Sequence, residues 1–192
     1  MGSYYYLASQ LPYLIRGTKP PMSSAEFKLL AETLMDADDA DLLEHLFLDP
    51  DPTYTEHGHS TGSRFIDGWR EWERTLRLNM ARHRSLKLKR ENVAMEEPPA
   101  FPVDAAAAAV KAVVATESPL EGEILIDRAR WRAIDILAGR DIFHRNAIYA
   151  YYLKLLILER RQSFNAELGF AEYKSLYASI IERAQHSVGE PK

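Results

Sequence analysis

The stretch Phe65-Ile66-Asp67-Gly68-Trp69-Arg70-Glu71-Trp72-Glu73-Arg74-Thr75-Leu76-Arg77-Leu78-Asn79-Met80 decides the fold class. Within it Phe65, Trp69, Trp72, Leu76 and Met80 recur at intervals of 4, 3, 4 and 4 residues. That spacing lays side chains along one face of an α-helix, whereas a half-buried strand would alternate every second residue. The pattern predicts a long helix from near Ser63 to about Asn92, with its aromatic stripe inward and most of its basic charge on the other faces.

Working outward, the same helical logic repeats on both sides. On the N-terminal side Ser23-Ser24-Ala25-Glu26 is a capping box, in which hydroxyl and carboxylate satisfy each other's orphan backbone amides. The helix it opens runs to about Met35, with Phe27, Leu30, Ala31 and Leu34 on one face. Asp38 or Asp39 is expected to cap a second short helix to about Leu48, pointing Leu42, Leu43, Leu46 and Phe47 inward, until Pro50 and Pro52 end it. Gly17 to Pro21 is a turn. The opening Tyr4-Tyr5-Tyr6-Leu7-Ala8-Ser9-Gln10-Leu11-Pro12 fits a short helix or an extended segment, because tyrosine favours strands while leucine, alanine and glutamine favour helices.

On the C-terminal side Glu96-Glu97-Pro98-Pro99-Ala100-Phe101-Pro102 forbids regular helix and is the clearest linker. Asp104 caps an alanine-rich helix from Ala105 to about Ala115, whose small side chains let a neighbour approach closely. Pro119 suits the first turn of a helix that runs to about Ala138 and stops at Gly139. Its expected buried stripe is Leu120, Ile124, Trp131, Ile134 and Ala138. Residues 148–158 are apolar on nearly every face, which predicts a central helix. A last helix is expected from about Ala166 to Ala184. The fold class is therefore all-α: a compact bundle of about six to seven helices in a single domain, residues 1–192, with 96–103 as the boundary if the bundle divides into two lobes.

Composition narrows the function classes. A chain of 192 residues with 46% hydrophobic and 27% charged residues has enough apolar side chains for a core and is not a disordered tail. Cysteine is absent, which excludes disulfides, thiol nucleophiles and cysteine-based zinc sites, and fits a cytoplasmic setting. Met1-Gly2-Ser3-Tyr4-Tyr5-Tyr6 lacks the basic start of a secretory leader, and Leu7 stands where a myristoylation motif favours a hydroxyl residue. The longest apolar run, 147–158, is interrupted by Lys154 and is too short to span a bilayer. The expectation is a soluble protein.

Charge is unevenly distributed. The net charge is −4, yet residues 1–63 hold three Lys/Arg against ten Asp/Glu, while residues 64–91 hold nine against four. One basic helix thus lies in an acidic protein. Arg70, Arg74, Arg77, Arg84 and Lys87 are its candidate interface residues, suited to an acidic partner or to this chain's own acidic N-terminal part. A nucleic-acid partner is not expected, because the chain as a whole is acidic and Asp67, Glu71 and Glu73 interrupt the stripe.

Catalytic and cofactor signatures are weak. His57-Gly58-His59 lacks a third ligand at a diagnostic interval and reads as an exposed polar turn. His83, His144 and His186 stand singly and read as solvated or capping residues. Neither glycine-rich phosphate motif occurs. Asp36, Asp38, Asp39 and Asp41 lack the glycine and glutamate of a calcium loop and read as a cap plus a solvated turn. Glu121, Glu123 and Asp127 share a polar helix face with Arg128, Arg130 and Arg132 close by, which favours an intrahelical charge network. No catalytic residue, metal or cofactor is expected.

Two stretches carry a resemblance. Tyr4-Tyr5-Tyr6-Leu7-Ala8-Ser9-Gln10-Leu11-Pro12 followed by Lys19-Pro20-Pro21-Met22-Ser23-Ser24-Ala25-Glu26-Phe27 resembles the start of an uncharacterised bacterial family, a domain of unknown function encoded among V/A-type ATPase genes. Glu121-Gly122-Glu123-Ile124-Leu125-Ile126-Asp127-Arg128-Ala129-Arg130-Trp131, with Ala150-Tyr151-Tyr152-Leu153-Lys154-Leu155-Leu156-Ile157-Leu158-Glu159-Arg160-Arg161, is similar to repeats of the stalk-to-ring connector of V/A-type ATPases. On that match Asp127 and Trp131 mark one helix, and Tyr151 or Tyr152, Lys154 and Arg160 the next. The connector is longer, with three similar lobes, and tends to place Asp and Asn where this chain has Ile157 and Leu158.

The resemblance implies a non-enzymatic coupling subunit of a proton- or sodium-translocating ATPase. It would join the central stalk to the membrane ring and touch the membrane only through those partners. The alternative is a free-standing helical adaptor or regulatory protein-binding module.

Overall fold

The structure, a computed structural model, describes residues 4–48, 60–88, 103–116 and 118–164. Its helices are α1 (Tyr5–Gln10), α2 (Ser24–Leu34), α3 (Ala37–Asp41), α4 (Arg64–Lys87), α5 (Val103–Val114), α6 (Pro119–Ala138) and α7 (Arg145–Gln162), with a 3-10 turn at Leu42–His45. Among the described residues there is no β-strand, and the all-α class holds. The expected helix at 166–184, the His57-Gly58-His59 turn and linker residues 96–102 lie outside the described residues, as do His186 and any extension of α4 to Asn92.

The ambiguous opening segment is helix α1. Tyr4 N–H donates to the Phe143 carbonyl at 2.8 Å, the Tyr5 ring lies 4.0 Å from that of Phe143, and Leu7 is buried. Tertiary contacts thus override the strand preference of the tyrosines. The capping box of α2 is formed: Ser23 Oγ accepts from the Glu26 amide at 3.1 Å, and the Ser23 amide donates to Glu26 Oε2 at 2.7 Å. Phe27 and Ala31 are buried beneath it, with Leu30 and Leu34 half-buried.

The second short helix departs from expectation. Its cap residue is Asp36, not Asp38 or Asp39, and the α-helix tightens to a 3-10 turn after Asp41. At that point the Tyr149 hydroxyl donates to the Asp39 carbonyl at 2.9 Å, pinning the turn to α7. Leu43 and Leu46 still point inward.

Helices α4, α6 and α7 form an antiparallel layer. Gly68 faces Leu137 at one end of the α4–α6 pair and Glu73 faces Arg130 further along. A Cβ on Gly68 would lie 2.9 Å from Leu137 Cδ2, so glycine there permits the close crossing. The alanine-rich α5 packs on α4 and α6, burying Ala106 and Val110, and meets α6 where Gly122 faces Val113. Small residues on both helices let them approach, as expected from composition. Val103, the last residue of the expected lobe boundary, starts α5.

The stripe of α4 is buried from Phe65 through Leu76, with Met80 half-buried. Helix α7 buries Ile148, Tyr149, Ala150, Tyr152, Leu153, Leu155, Ile157 and Leu158, the central character predicted for it. Buried side chains of α1, α2, α4, α5, α6 and α7 join in one apolar core.

The expected stripe of α6 needs correction. Leu120 is 57% exposed, and Ile124, Trp131 and Ala138 are only half-buried, leaving Ile134 as the buried member. The inward face is Gly122, Ile126, Asp127, Arg130, Ala133 and Ile134. Apolar periodicity alone misplaces it, because two of its inward residues are charged and are neutralised by neighbouring helices.

Candidate interaction surface and the buried charge network

The charge on α6 is not confined to its own helix. Arg130 Nε donates to Glu73 Oε1 on α4 at 2.6 Å and Nη2 to Oε2 at 3.2 Å, a bidentate pair with side-chain exposures of 9% and 2%. Asp127, also 2% exposed, lies 3.6 Å from Arg130 and accepts from Arg160 of α7 at 2.7 Å. Arg160 also donates to Glu123 at 3.0 Å, and Arg77 lies 3.7 Å from Glu73. Three acids and three bases therefore alternate across α4, α6 and α7. Burial disfavours the Arg130 charge, but Glu73 first, then Asp127 and Glu123, outweigh it and hold its pKa above the usual guanidinium value.

This corrects the intrahelical network expected of Glu121, Glu123, Asp127, Arg128, Arg130 and Arg132. The strong pairs run between helices, while Glu121, Arg128 and Arg132 are exposed. Lys154 of α7 pairs with Asp135 of α6 at 2.5 Å and lies 5.2 Å from the Trp131 ring centroid. The α6–α7 seam is thus closed at several levels by charge.

A second polar cluster ties down the N-terminal helices. Asp39 accepts from the Tyr4 hydroxyl at 2.6 Å and from Arg145 at 2.7 Å. It is only 7% exposed, which corrects its reading as part of a solvated turn. Desolvation raises its pKa, but the hydrogen bonds from Tyr4 and Arg145, with the charges of Arg145 and His144, prevail and hold it below the ordinary carboxylate value. Burial first, then the bond to Asp39, pushes the Tyr4 hydroxyl far above its usual value.

A carboxylate with a lowered folded-state pKa adds stability above its unfolded value, and that stability is lost as pH falls through the folded value. Asp39 stabilisation is therefore present at neutral pH and declines as pH drops below about 4. Asp39→Asn is expected to cost about 1.5–3 kcal/mol at neutral pH, the range for hydrogen bonds to a charged group. Urea unfolding at neutral pH and near pH 3 checks this. The gap between variant and parent should shrink in acid, and a constant gap would show that the Asp39 charge is not involved.

The five candidate interface residues divide. Arg70 Nη2 donates to the His45 carbonyl at 3.4 Å and lies 5.9 Å from the Phe47 ring, so it docks α4 on the 3-10 turn. Arg74 lies 3.9 Å from Glu71, and Arg77 donates to the Glu73 carbonyl at 3.1 Å. Arg84 and Lys87, in the last turn of α4, are exposed. The basic helix therefore serves this chain's own fold along its middle and presents Arg84 and Lys87 outward at its end.

Two surface depressions are open rather than enclosed. One of about 570 Å³ is lined by Ser60, Gly62, Arg64, Asp67, Gly68 and Glu71. Its Asp67 carboxylate already accepts from the Ser60 hydroxyl at 2.6 Å and from the Thr61 amide and hydroxyl at 2.9 Å. The other, about 220 Å³, is lined by Leu120, Glu123, Ile124, Asp127, Arg161 and Phe164. His144 caps α7, its Nδ1 accepting from the Asn146 amide at 3.2 Å, in keeping with a capping role. Among the described residues no group of three or more His, Asp or Glu is arranged to hold a metal ion, and no helix is long and apolar enough to cross a membrane.

No family model, curated protein or solved structure matches the chain.

Proposed function

We propose that this chain is a non-catalytic coupling subunit of a bacterial V/A-type ATPase, placed between the central stalk and the membrane ring. One observation supports this reading most. Asp127, Trp131, Lys154 and Arg160, through which the sequence resembles the stalk-to-ring connector, meet in pairs across the α6–α7 seam: Asp127 with Arg160 at 2.7 Å and Trp131 with Lys154 at 5.2 Å. The resemblance thus falls on residues that hold two helices in register, as a torque-bearing element requires. The alternating charges also join α4 to that hairpin, which resists sliding of one helix past another. Such a subunit would act at the inner face of the membrane through its protein partners and would need no chemistry of its own.

A tagged chain purified from cells that naturally make it is expected to bring down the ATPase stalk and ring subunits in fixed proportion. An intact ATPase recovered without this chain at every stage of preparation would overturn the reading. The free-standing adaptor would then be favoured if the tag retained a different set of proteins.

A further inference from the structure

We infer that the last two turns of α4 form a docking end for an acidic segment of a partner protein that wraps around them. The site stands on geometry, and only the partner's identity rests on the coupling-subunit reading.

Core packing ends before α4 does. Leu76 is buried and Met80 half-buried, but no residue from Ala81 to Leu88 is buried, so the helix carries its last two turns beyond the core. Those turns expose Arg82, Arg84 and Lys87 together with Leu86 and Leu88, the leucines at 68% and 62%. Basic residues in a last turn complement the helix dipole, which accounts for part of Arg84 and Lys87. It does not account for two large exposed leucines among them, nor for Arg82 a turn earlier.

The chain offers these bases no counter-charge among the described residues. No ion pair joins Arg82, Arg84 or Lys87 to any of them, and the sequence holds no acid between Glu73 and Glu91. The arginines in the middle of the helix, Arg70, Arg74 and Arg77, are engaged by the His45 carbonyl, Glu71 and Glu73, whereas Arg82, Arg84 and Lys87 are grouped together at the tip.

Charge complementarity selects an acidic occupant, and the leucines select its class. At 3.6 residues per turn, Leu86 and Leu88 project about 200° apart, so a flat lipid surface can accept only one of them. A phosphate backbone gives neither leucine an apolar contact. A protein segment that wraps the helix end can cover both leucines while its carboxylates meet the bases. A second copy of the chain, whose Glu32, Asp38 and Asp41 are exposed, is the competing occupant, and the identity of the captured peptide distinguishes it.

The test places a photo-crosslinking residue at position 86 of the full chain, Leu86→p-benzoylphenylalanine, in cells that naturally make it. Mass spectrometry then sequences the captured peptide. The expected product is an adduct to an Asp/Glu-rich segment of a partner protein, reduced about tenfold by Arg84→Glu with Lys87→Glu and retained by Arg84→Lys. Because these residues lie outside the core, the charge-reversed chain should keep its melting temperature, which separates lost docking from lost folding. An adduct to an ATPase subunit supports both readings. An adduct to an acidic segment of another protein keeps the docking end and removes the ATPase assignment. No adduct, an adduct indifferent to charge reversal, or one to a second copy of the chain would overturn the proposal. So would saturable binding of the purified chain to phosphatidylglycerol vesicles or duplex DNA that the same reversal abolishes.

Discussion

Arg130→Met is expected to destabilise the fold by about 3–5 kcal/mol, the typical loss when one member of a buried ion pair is removed. Arg130 holds Glu73 through two hydrogen bonds, at 2.6 and 3.2 Å, and Glu73 is 2% exposed. Without Arg130 the carboxylate keeps, among the described residues, Arg77, at 3.7 Å and 37% exposed. Methionine fills much of the volume, so the loss reports on charge rather than on a cavity. The double variant Glu73→Leu with Arg130→Met should recover most of the stability, since replacing a buried pair by apolar side chains is often neutral or better. Urea unfolding followed by tryptophan fluorescence measures both. A single-variant loss below about 1 kcal/mol would show that the pair behaves as an exposed one.

Recovery in the double variant would have a second meaning. It would show that the network serves register more than stability, since ion pairs between α4, α6 and α7 reward one alignment of the helices. That variant, stable but without its central pair, would then be expected to assemble less faithfully with partners than the parent.

Trp69→Ala is the second large expectation, again about 3–5 kcal/mol, the usual cost of truncating a buried aromatic side chain. Trp69 is 1% exposed, its ring lies 5.7 Å from that of Trp72, and its indole N–H donates to the Phe47 carbonyl at 3.2 Å. Trp69→Phe separates the contributions. It keeps most of the apolar ring but leaves the carbonyl without that donor, at about 1 kcal/mol. Trp72, 7% exposed, should also cost several kcal/mol on truncation to alanine. A loss under about 1 kcal/mol at both positions would mean that this face of α4 is open to a partner instead of packed in the core.

What could be read from the chain follows the range of the interactions involved. The capping box at Ser23 and Glu26, Pro119 at a helix start, Gly139 at its end and the stripe from Phe65 to Leu76 are legible because cap, breaker and period act within a few residues. The central place of α7 is legible too, since a helix apolar on all faces must be surrounded. The inward face of α6 is not. Asp127 and Arg130 look like solvent-facing charges until Arg160 and Glu73 are brought to them. A charge pattern that fails apolar periodicity at 3.6 residues, set beside buried positions on the same turn, is the one local hint of that face.

The interface candidates show the same limit. Arg70, Arg74, Arg77, Arg84 and Lys87 are alike as sequence, each a base on a long helix. Only packing separates Arg70 and Arg77, bound to neighbouring carbonyls, from Arg84 and Lys87 at an exposed end.

By itself, then, the sequence determined that this protein is helical, where most of the described helices begin and end, and that α7 is central. Those properties arise from local hydrogen-bond satisfaction and from the period of apolar residues. Tertiary structure alone decided which charges are buried and which face outward. The fate of a charge depends on its counter-ion, and the one that rescues Arg130 stands 57 residues away on another helix.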